Sequence, residues 1–222
     1  RAGLAQVSRR SPDRFFMMIE GGNIDHAAHA NDPGGVIKEI LNFQDAIKIA
    51  YDFYLQHPDE TLIVVTADHD TGGMALSRKT KGGLGLIDNQ RISKDLLTDY
   101  CRNLLENNTP VTWEEMKSML SDKLGLWGAI PLDEKTTESL HNTFNRTFIE
   151  RTALSEKALY NVYNAFVVEI FKIYNKQVGT AFINSSHTAN PVPVFAIGAG
   201  ADKFTGVNNN TDIPKLIYEA TR

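Results

Sequence analysis

The sequence predicts an α/β protein in which helices flank a mostly parallel central sheet, together with a helical insertion. Two apolar runs, residues 15–19 and 61–67, have the composition of strands buried on both faces. Between them, residues 36–54 place apolar side chains at helical spacing, so strand, helix and strand predict one right-handed parallel crossover. Residues 88–177 carry mainly helix signals, which predicts the insertion.

The composition is that of an ordinary globular protein. Apolar residues make up 42% and charged residues 23% of the 222-residue chain, which suits one domain, or one domain with an insertion, and a sizeable core. A net charge of −4 without a long basic run argues against nucleic acid or a membrane as a partner. Cys101 is the single cysteine, which excludes an internal disulfide.

Side chains with metal-ligand chemistry follow the first predicted strand. The strand ends at Glu20, and a Gly-Gly turn leads to Asp25, His26 and His29. If this segment is helical, Asp25 and His29 share a face, and their carboxylate and imidazole make half of a divalent metal site. The alternative is a polar loop followed by a solvent-exposed helix start.

The second predicted strand ends in the same way, because residues 61–67 are followed at once by Asp68 and His69. Parallel strands present their carboxyl ends at one edge of a sheet, where open α/β sheets bind ligands. Two such modules therefore favour ligation over two unrelated turns. A third imidazole, His187, lies in a polar loop before a strand predicted at residues 191–197, and a closing helix is predicted through about Ala220.

Local signals also place helices inside residues 88–177. Thr112 and Glu115 form a capping-box signature that opens a short helix. Ser155 is predicted to cap a later helix, whose apolar stripe runs from Leu159 to Tyr174. Cys101 is predicted to be a buried residue within a helix.

The candidate ligands are three carboxylates and three imidazoles: Glu20, Asp25, His29, Asp68, His69 and His187. This set exceeds what one zinc ion needs and suits several metals, with the imidazoles favouring zinc. The motifs E-G-x-x-I-D-x-x-x-H at residues 20–29, T-A-D-H at 66–69 and H-T at 187–188 resemble the alkaline phosphatases in order and strand context. The resemblance covers about residues 15–80 and 180–220.

The resemblance implies a role for each candidate residue. One zinc ion would be held by Asp25, His29 and His187. The second zinc ion would be held by Asp68 and His69, and one magnesium ion by Glu20. His26 falls where the family keeps a residue near the bound phosphate, and the alternative for it is a solvent-facing helix residue. The implied activity is hydrolysis of phosphate monoesters through a phosphoserine intermediate.

The sequence departs from the family pattern in its first residues. Only 19 residues precede Glu20, and none carries the Asp-Ser motif of the family's nucleophile, so the chain resembles the C-terminal, metal-binding half of a bacterial-type enzyme. We expect it to be inactive alone. The resemblance divides the chain into residues 1–87, the first part of the core; 88–178, a helical insertion beside the active-site mouth; and 179–222, the last part of the core.

The same resemblance implies partners and a compartment. The substrate would be a phosphate monoester, and the chain would form a homodimer or associate with the missing N-terminal half. A periplasmic or secreted protein is expected. Two alternatives remain open from the sequence: a phosphodiesterase of the same metalloenzyme superfamily, and a non-catalytic metal-binding fragment or paralogue.

Overall fold

The computed structural model describes residues 1–11, 13–77 and 83–221, which divide into two compact units. Unit 1 comprises Arg1–Gly22, Glu39–Asp70 and Ala189–Arg222, and unit 2 comprises Asn23–Lys38 and Thr71–Thr188. Within the described ranges, no helix is both long enough and apolar enough to cross a membrane.

The described helices and strands follow one another along the chain in this order: α1 (Ala2–Arg10), α2 (Gly22–His29), α3 (Pro33–Tyr54), β1 (Leu62–Val65), β2 (Asp70–Thr71), β3 (Ala75–Leu76), α4 (Lys94–Glu106), α5 (Trp113–Leu124), α6 (Glu134–Phe144), β4 (Ser155–Lys157), β5 (Val162–Asn164), α7 (Ala165–Val178), β6 (Thr180–Ala181), β7 (His187–Thr188), β8 (Phe195–Gly198) and α8 (Ile213–Ala220). A π-helical turn, Asn145–Ile149, extends α6.

Unit 1 contains the ladder between β1 and β8, which are antiparallel, with Leu62 opposite Gly198 and Val65 opposite Phe195. Strand β1 lies within the predicted run 61–67, and β8 overlaps the end of the predicted run 191–197. The ladder ends at Gly198, which has φ +99°. A Cβ atom there would lie 2.0 Å from the Thr61 carbonyl oxygen, so a residue with no side chain is required.

The strand predicted at residues 15–19 is not formed. Residues 14–21 have no regular secondary structure, and the side chains of Phe15 to Ile19 are 37–79% exposed. A strand of this composition needs hydrogen-bonded neighbours and covered faces, and the described residues give it neither. The named ladders β1–β8, β3–β6 and β4–β5 are all antiparallel, so they do not establish the mostly parallel sheet that the sequence predicts.

Unit 2 is built around an apolar core shared by α4, α5, α6 and α7. Its largest fully buried side chains include Leu97, Met116, Leu120, Leu140, Phe144, Phe166, Ile170 and Tyr174. The predicted capping box is present, because the Thr112 hydroxyl accepts from the Glu115 backbone N–H while the Glu115 carboxylate accepts from the Thr112 N–H. Cys101 is buried in α4, as predicted.

The helix predicted from a Ser155 cap is instead capped nine residues later, at Asn164, because the segment in between is a β-hairpin. Strands β4 and β5 pair with Ser155 opposite Asn164, and α7 begins after Asn164, whose side chain accepts from the Val167 N–H. Within the turn, the Asn161 side-chain oxygen accepts from the Val162 N–H. Such local side-chain bonds to the backbone compete with helix formation, so the apolar stripe alone predicted too long a helix.

Candidate metal centre

Helix α2 places Asp25 and His29 one turn apart on the same face. Asp25 Oδ1 lies 3.3 Å from His29 Nε2. The spacing of the two residues in the sequence predicted this arrangement, because side chains four residues apart in a helix are neighbours. His29 is 3% exposed, so its imidazole is held in place by the fold.

The backbone determines which nitrogen of His29 is available as a ligand. His29 Nδ1 lies 2.7 Å from the carbonyl oxygen of Ser185, and a carbonyl only accepts hydrogen bonds. Nδ1 therefore carries a proton, and in the neutral form of the ring the lone pair is on Nε2. That Nε2 is buried and has no hydrogen-bond partner among the described residues, although the Asp25 carboxylate faces it. A cation between these two atoms would satisfy both.

Thr71 fixes the Asp25 carboxylate. Its hydroxyl donates to Asp25 Oδ1 at 2.6 Å, and Thr71 itself is buried. The neighbouring Gly72 N–H donates to the Ser186 carbonyl oxygen, which ties this segment to the strand that carries the third imidazole. The sequence did not predict this bond between Thr71 and Asp25.

His187 completes a set of three candidate ligands within unit 2. Its ring lies 5.1 Å from the His29 ring, and ligand atoms of Asp25 and His187 lie within 4.8 Å of one another. The side chain is exposed, so this side of the group faces solvent. One carboxylate, two imidazoles and an open side are the donor set of a catalytic zinc site, in which water or substrate takes the remaining position.

Unit 1 contains the other three candidates. Asp68 and His69 turn towards each other, with His69 Nε2 3.2 Å from Asp68 Oδ2 and the His69 N–H donating to Asp68 Oδ1. Asp68 is 84% exposed, and Glu20 is exposed as well. The neighbouring Asp70 accepts a bond from the Asn190 amide within the same unit.

The exposed ring of His26 contacts a residue that sequence reasoning did not connect with the site. Its centroid lies 4.2 Å from that of Tyr160, and the Tyr160 ring also meets the His29 ring edge-on at 5.2 Å. Tyr160 lies 135 positions beyond Asp25 in the chain, at the tip of the β4–β5 hairpin. No local pattern in the sequence signals such a contact.

Comparison with known proteins identifies the family. A family model described as alkaline phosphatase matches residues 4–222. The chain belongs to the alkaline phosphatase family. Alkaline phosphatase 4 of Bacillus subtilis is 29% identical over 205 residues, which are 92% of this chain and 39% of that relative. The chain thus spans about two fifths of the length of this relative.

Solved structures of alkaline phosphatases share the fold. The cold-active enzyme from a psychrophilic Shewanella species has a TM-score of 0.67 and 27% identity, covering 91% of this chain and 44% of its own. A variant of the TAB5 alkaline phosphatase, with a TM-score of 0.51 and 22% identity over 99% of this chain and 39% of its own, is described with Mg bound in its M3 site.

Proposed function

We propose that this chain carries the metal-binding part of an alkaline phosphatase that hydrolyses phosphate monoesters at a site of two zinc ions and one magnesium ion. Asp25, His29 and His187 would hold one zinc. Asp68 and His69 would hold the second zinc, and Glu20 the magnesium. The reaction of the longer protein would pass through a phosphoserine intermediate, with His26 close to the bound phosphate.

The buried Nε2 atom of His29 is the observation that carries this proposal. It is oriented by the Ser185 carbonyl, faces the Asp25 carboxylate at 3.3 Å and has no hydrogen-bond partner among the described atoms. A buried polar atom without a hydrogen-bond partner costs about 1–3 kcal/mol of stability, which a bound metal ion would recover. Bound zinc would supply a Lewis acid and a water of pKa about 7.

The chain's own residues have definite tasks in this proposal. The Ser185 carbonyl keeps the proton of His29 on Nδ1, and the Thr71 hydroxyl holds one oxygen of Asp25. These contacts orient two ligands before any metal arrives, which reduces the cost of ordering them on binding. We also propose that residues 15–19 form a strand of a mostly parallel sheet in the longer protein, because their composition is that of a strand buried on both faces.

Zinc titration of the 222-residue chain tests the proposal. We expect zinc binding, measured by competition with a chromophoric chelator, and a rise in melting temperature, since ligand at 100 times Kd adds about 2.7 kcal/mol of stability. His29→Gln should weaken zinc binding by more than the roughly 10–100-fold that loss of an outer hydrogen-bond partner costs. His141→Gln is the matched control, because His141 lies in the same unit and stacks on Trp113.

Turnover of para-nitrophenyl phosphate is the second measurement. We expect none from the chain alone, because its 222 residues lack the Asp-Ser motif. Metal-dependent hydrolysis by this chain would contradict the proposal that these 222 residues bind the metals but lack the nucleophile. Equal zinc affinity in the wild type and His29→Gln would contradict the proposed ligand set.

A further inference from the structure

The β4–β5 hairpin, residues 155–164, is held rigidly on helix α4. Its turn is closed by the Ala158 N–H, which donates to the Asn161 carbonyl oxygen at 2.9 Å. Two hairpin side chains then bind the same oxygen of Asp95 on α4, since Tyr163 Oη and Asn161 Nδ2 each lie 2.8 Å from Asp95 Oδ1. Arg102, also on α4, donates to Asn161 Oδ1 at 2.8 Å. The tip of the hairpin is therefore held in place by its contacts with α4.

Tyr160, at this tip, contacts two of the candidate ligands, His29 and Asp25, and their neighbour His26. Its ring lies over His26, with centroids 4.2 Å apart and planes at 36°, and meets His29 edge-on at 83°. Its hydroxyl donates to Asp25 Oδ2 over 3.4 Å, which is at the long end for a hydrogen bond. Thr71 binds the other oxygen of that carboxylate, so the two hydroxyls bracket Asp25.

The same hairpin forms a wall beside the imidazoles of His29 and His187. A cavity of about 540 Å³ is lined by His29, His187 and Ser185 on one side and by Lys157 and Leu159 on the other. Tyr160 follows Leu159 in the hairpin and contacts His29, which also lines this cavity. A group that touches two ligands and their neighbour is well placed to limit how far those ligands rotate.

We propose that Tyr160 is a positioning residue of the metal centre, an inference that rests on the proposed function. Its ring restrains the imidazoles of His26 and His29, and its hydroxyl fixes the second oxygen of Asp25. The role is indirect, because Tyr160 acts on metal through the side chains that it orients. Through Tyr160, the β4–β5 hairpin therefore contributes to the metal centre that the residues of α2 form.

Two variants separate the ring from the hydroxyl. Tyr160→Phe keeps the ring and should weaken zinc binding by about 2-fold, the low end for one hydrogen bond, because this bond is long. Tyr160→Leu removes both contacts and should weaken it by about 10–100-fold. Tyr100→Leu is the matched control, because Tyr100 is a partly exposed tyrosine on α4 of the same unit. All three variants should unfold in urea at nearly the wild-type midpoint, since Tyr160 is 56% and Tyr100 is 40% exposed.

A second readout needs no metal. The histidine ring protons of the metal-free chain are followed by NMR and assigned with His26→Gln and His29→Gln. Tyr160→Leu should move the His26 and His29 signals, because an aromatic ring at about 4–5 Å shifts its neighbours' resonances, and should leave His141 unmoved. Tyr160→Phe should preserve the ring contribution.

The outcomes distinguish the two proposals. If the wild type binds zinc and Tyr160→Leu binds it equally well, the positioning role is refuted and the proposed function stands. If the wild type binds no zinc, the proposed metal centre fails and this role fails with it, while the NMR signals report separately on the ring contacts. Unmoved His26 and His29 signals in Tyr160→Leu would also overturn the inference.

Discussion

Replacement of Asp32 should destabilise unit 2, because this one carboxylate serves two helix N-termini. Asp32 is 2% exposed and precedes α3. Its Oδ1 accepts from the Gly35 N–H at 2.9 Å and from the Gln90 side-chain amide at 2.5 Å, and its Oδ2 accepts from the Lys94 N–H at 2.8 Å, at the first residue of α4. Negative charge at a helix N-terminus is favourable, here at two helices.

The structure gives the size of the effect. In Asp32→Asn the remaining oxygen can still accept from Gly35 and Gln90, but the new amide N–H₂ meets the Lys94 N–H, so buried donors oppose each other. One lost acceptor of this kind costs about 1–3 kcal/mol. A cost of about 2 kcal/mol lowers the melting temperature by about 4–8 °C for a protein of this length. Asp32→Ala loses all three bonds and should cost more.

Urea unfolding followed by tryptophan fluorescence is the appropriate assay. Both tryptophans, Trp113 and Trp127, lie in unit 2, so the signal reports on the unit that contains Asp32. Asp122→Asn serves as the control, because Asp122 is an exposed residue on α5 paired with its neighbour Lys123. If Asp32→Asn unfolded at the same midpoint as the Asp122 variant, the assignment of a shared cap to Asp32 would be refuted.

Three further results are expected. Burial raises the pKa of the Asp32 carboxyl, so the folded state retains a proton that the unfolded state releases above about pH 3.9, and the stability contributed by this group should fall as pH rises from there towards the raised pKa. In urea unfolding, the difference in stability between the wild type and Asp32→Asn should therefore narrow over that range. A constant difference would count against the raised pKa. Burial raises the pKa of the Cys101 thiol to about 12, so a thiol reagent at about pH 8 should label Cys101 only as fast as unit 2 unfolds locally and exposes it. Labelling at the rate of an exposed thiol would contradict the burial of Cys101. Gly206→Ala should cost about 1–2 kcal/mol for its left-handed φ of +84°, because no atom of the described residues beyond its chain neighbours would lie within 4 Å of the new Cβ. Gly198→Ala should cost clearly more, because its Cβ would overlap the Thr61 carbonyl; equal circular-dichroism melts would disprove the clash.

Local patterns in the sequence predicted the parts of the fold that local interactions determine. The capping box at Thr112, the long helix α3 and the shared face of Asp25 and His29 all follow from spacings of three or four residues. The comparisons confirm the family, which the short motifs around these residues had indicated. The assignments of individual ligands to individual metals stay predictions.

The failures concern contacts between residues far apart in sequence. The run at residues 15–19 predicted a buried strand, but a strand also needs partners, and its own composition cannot supply them. The stripe from Leu159 onwards predicted a helix, whereas the Asn161 side chain accepts from Arg102, which lies 59 positions earlier, and the hairpin is held on α4 in this way. Tyr160 could not be connected to Asp25 for the same reason, since 135 residues separate them.

The bond between His29 and the Ser185 carbonyl has an evolutionary consequence. Every amino acid carries a main-chain oxygen, so exchanging the side chain at position 185 leaves the proton of His29 where it is. Adding or deleting one residue between Gly179 and His187 would move that oxygen away. Homologous enzymes that keep this arrangement should therefore vary freely in residue type at this position while conserving the number of residues in the loop.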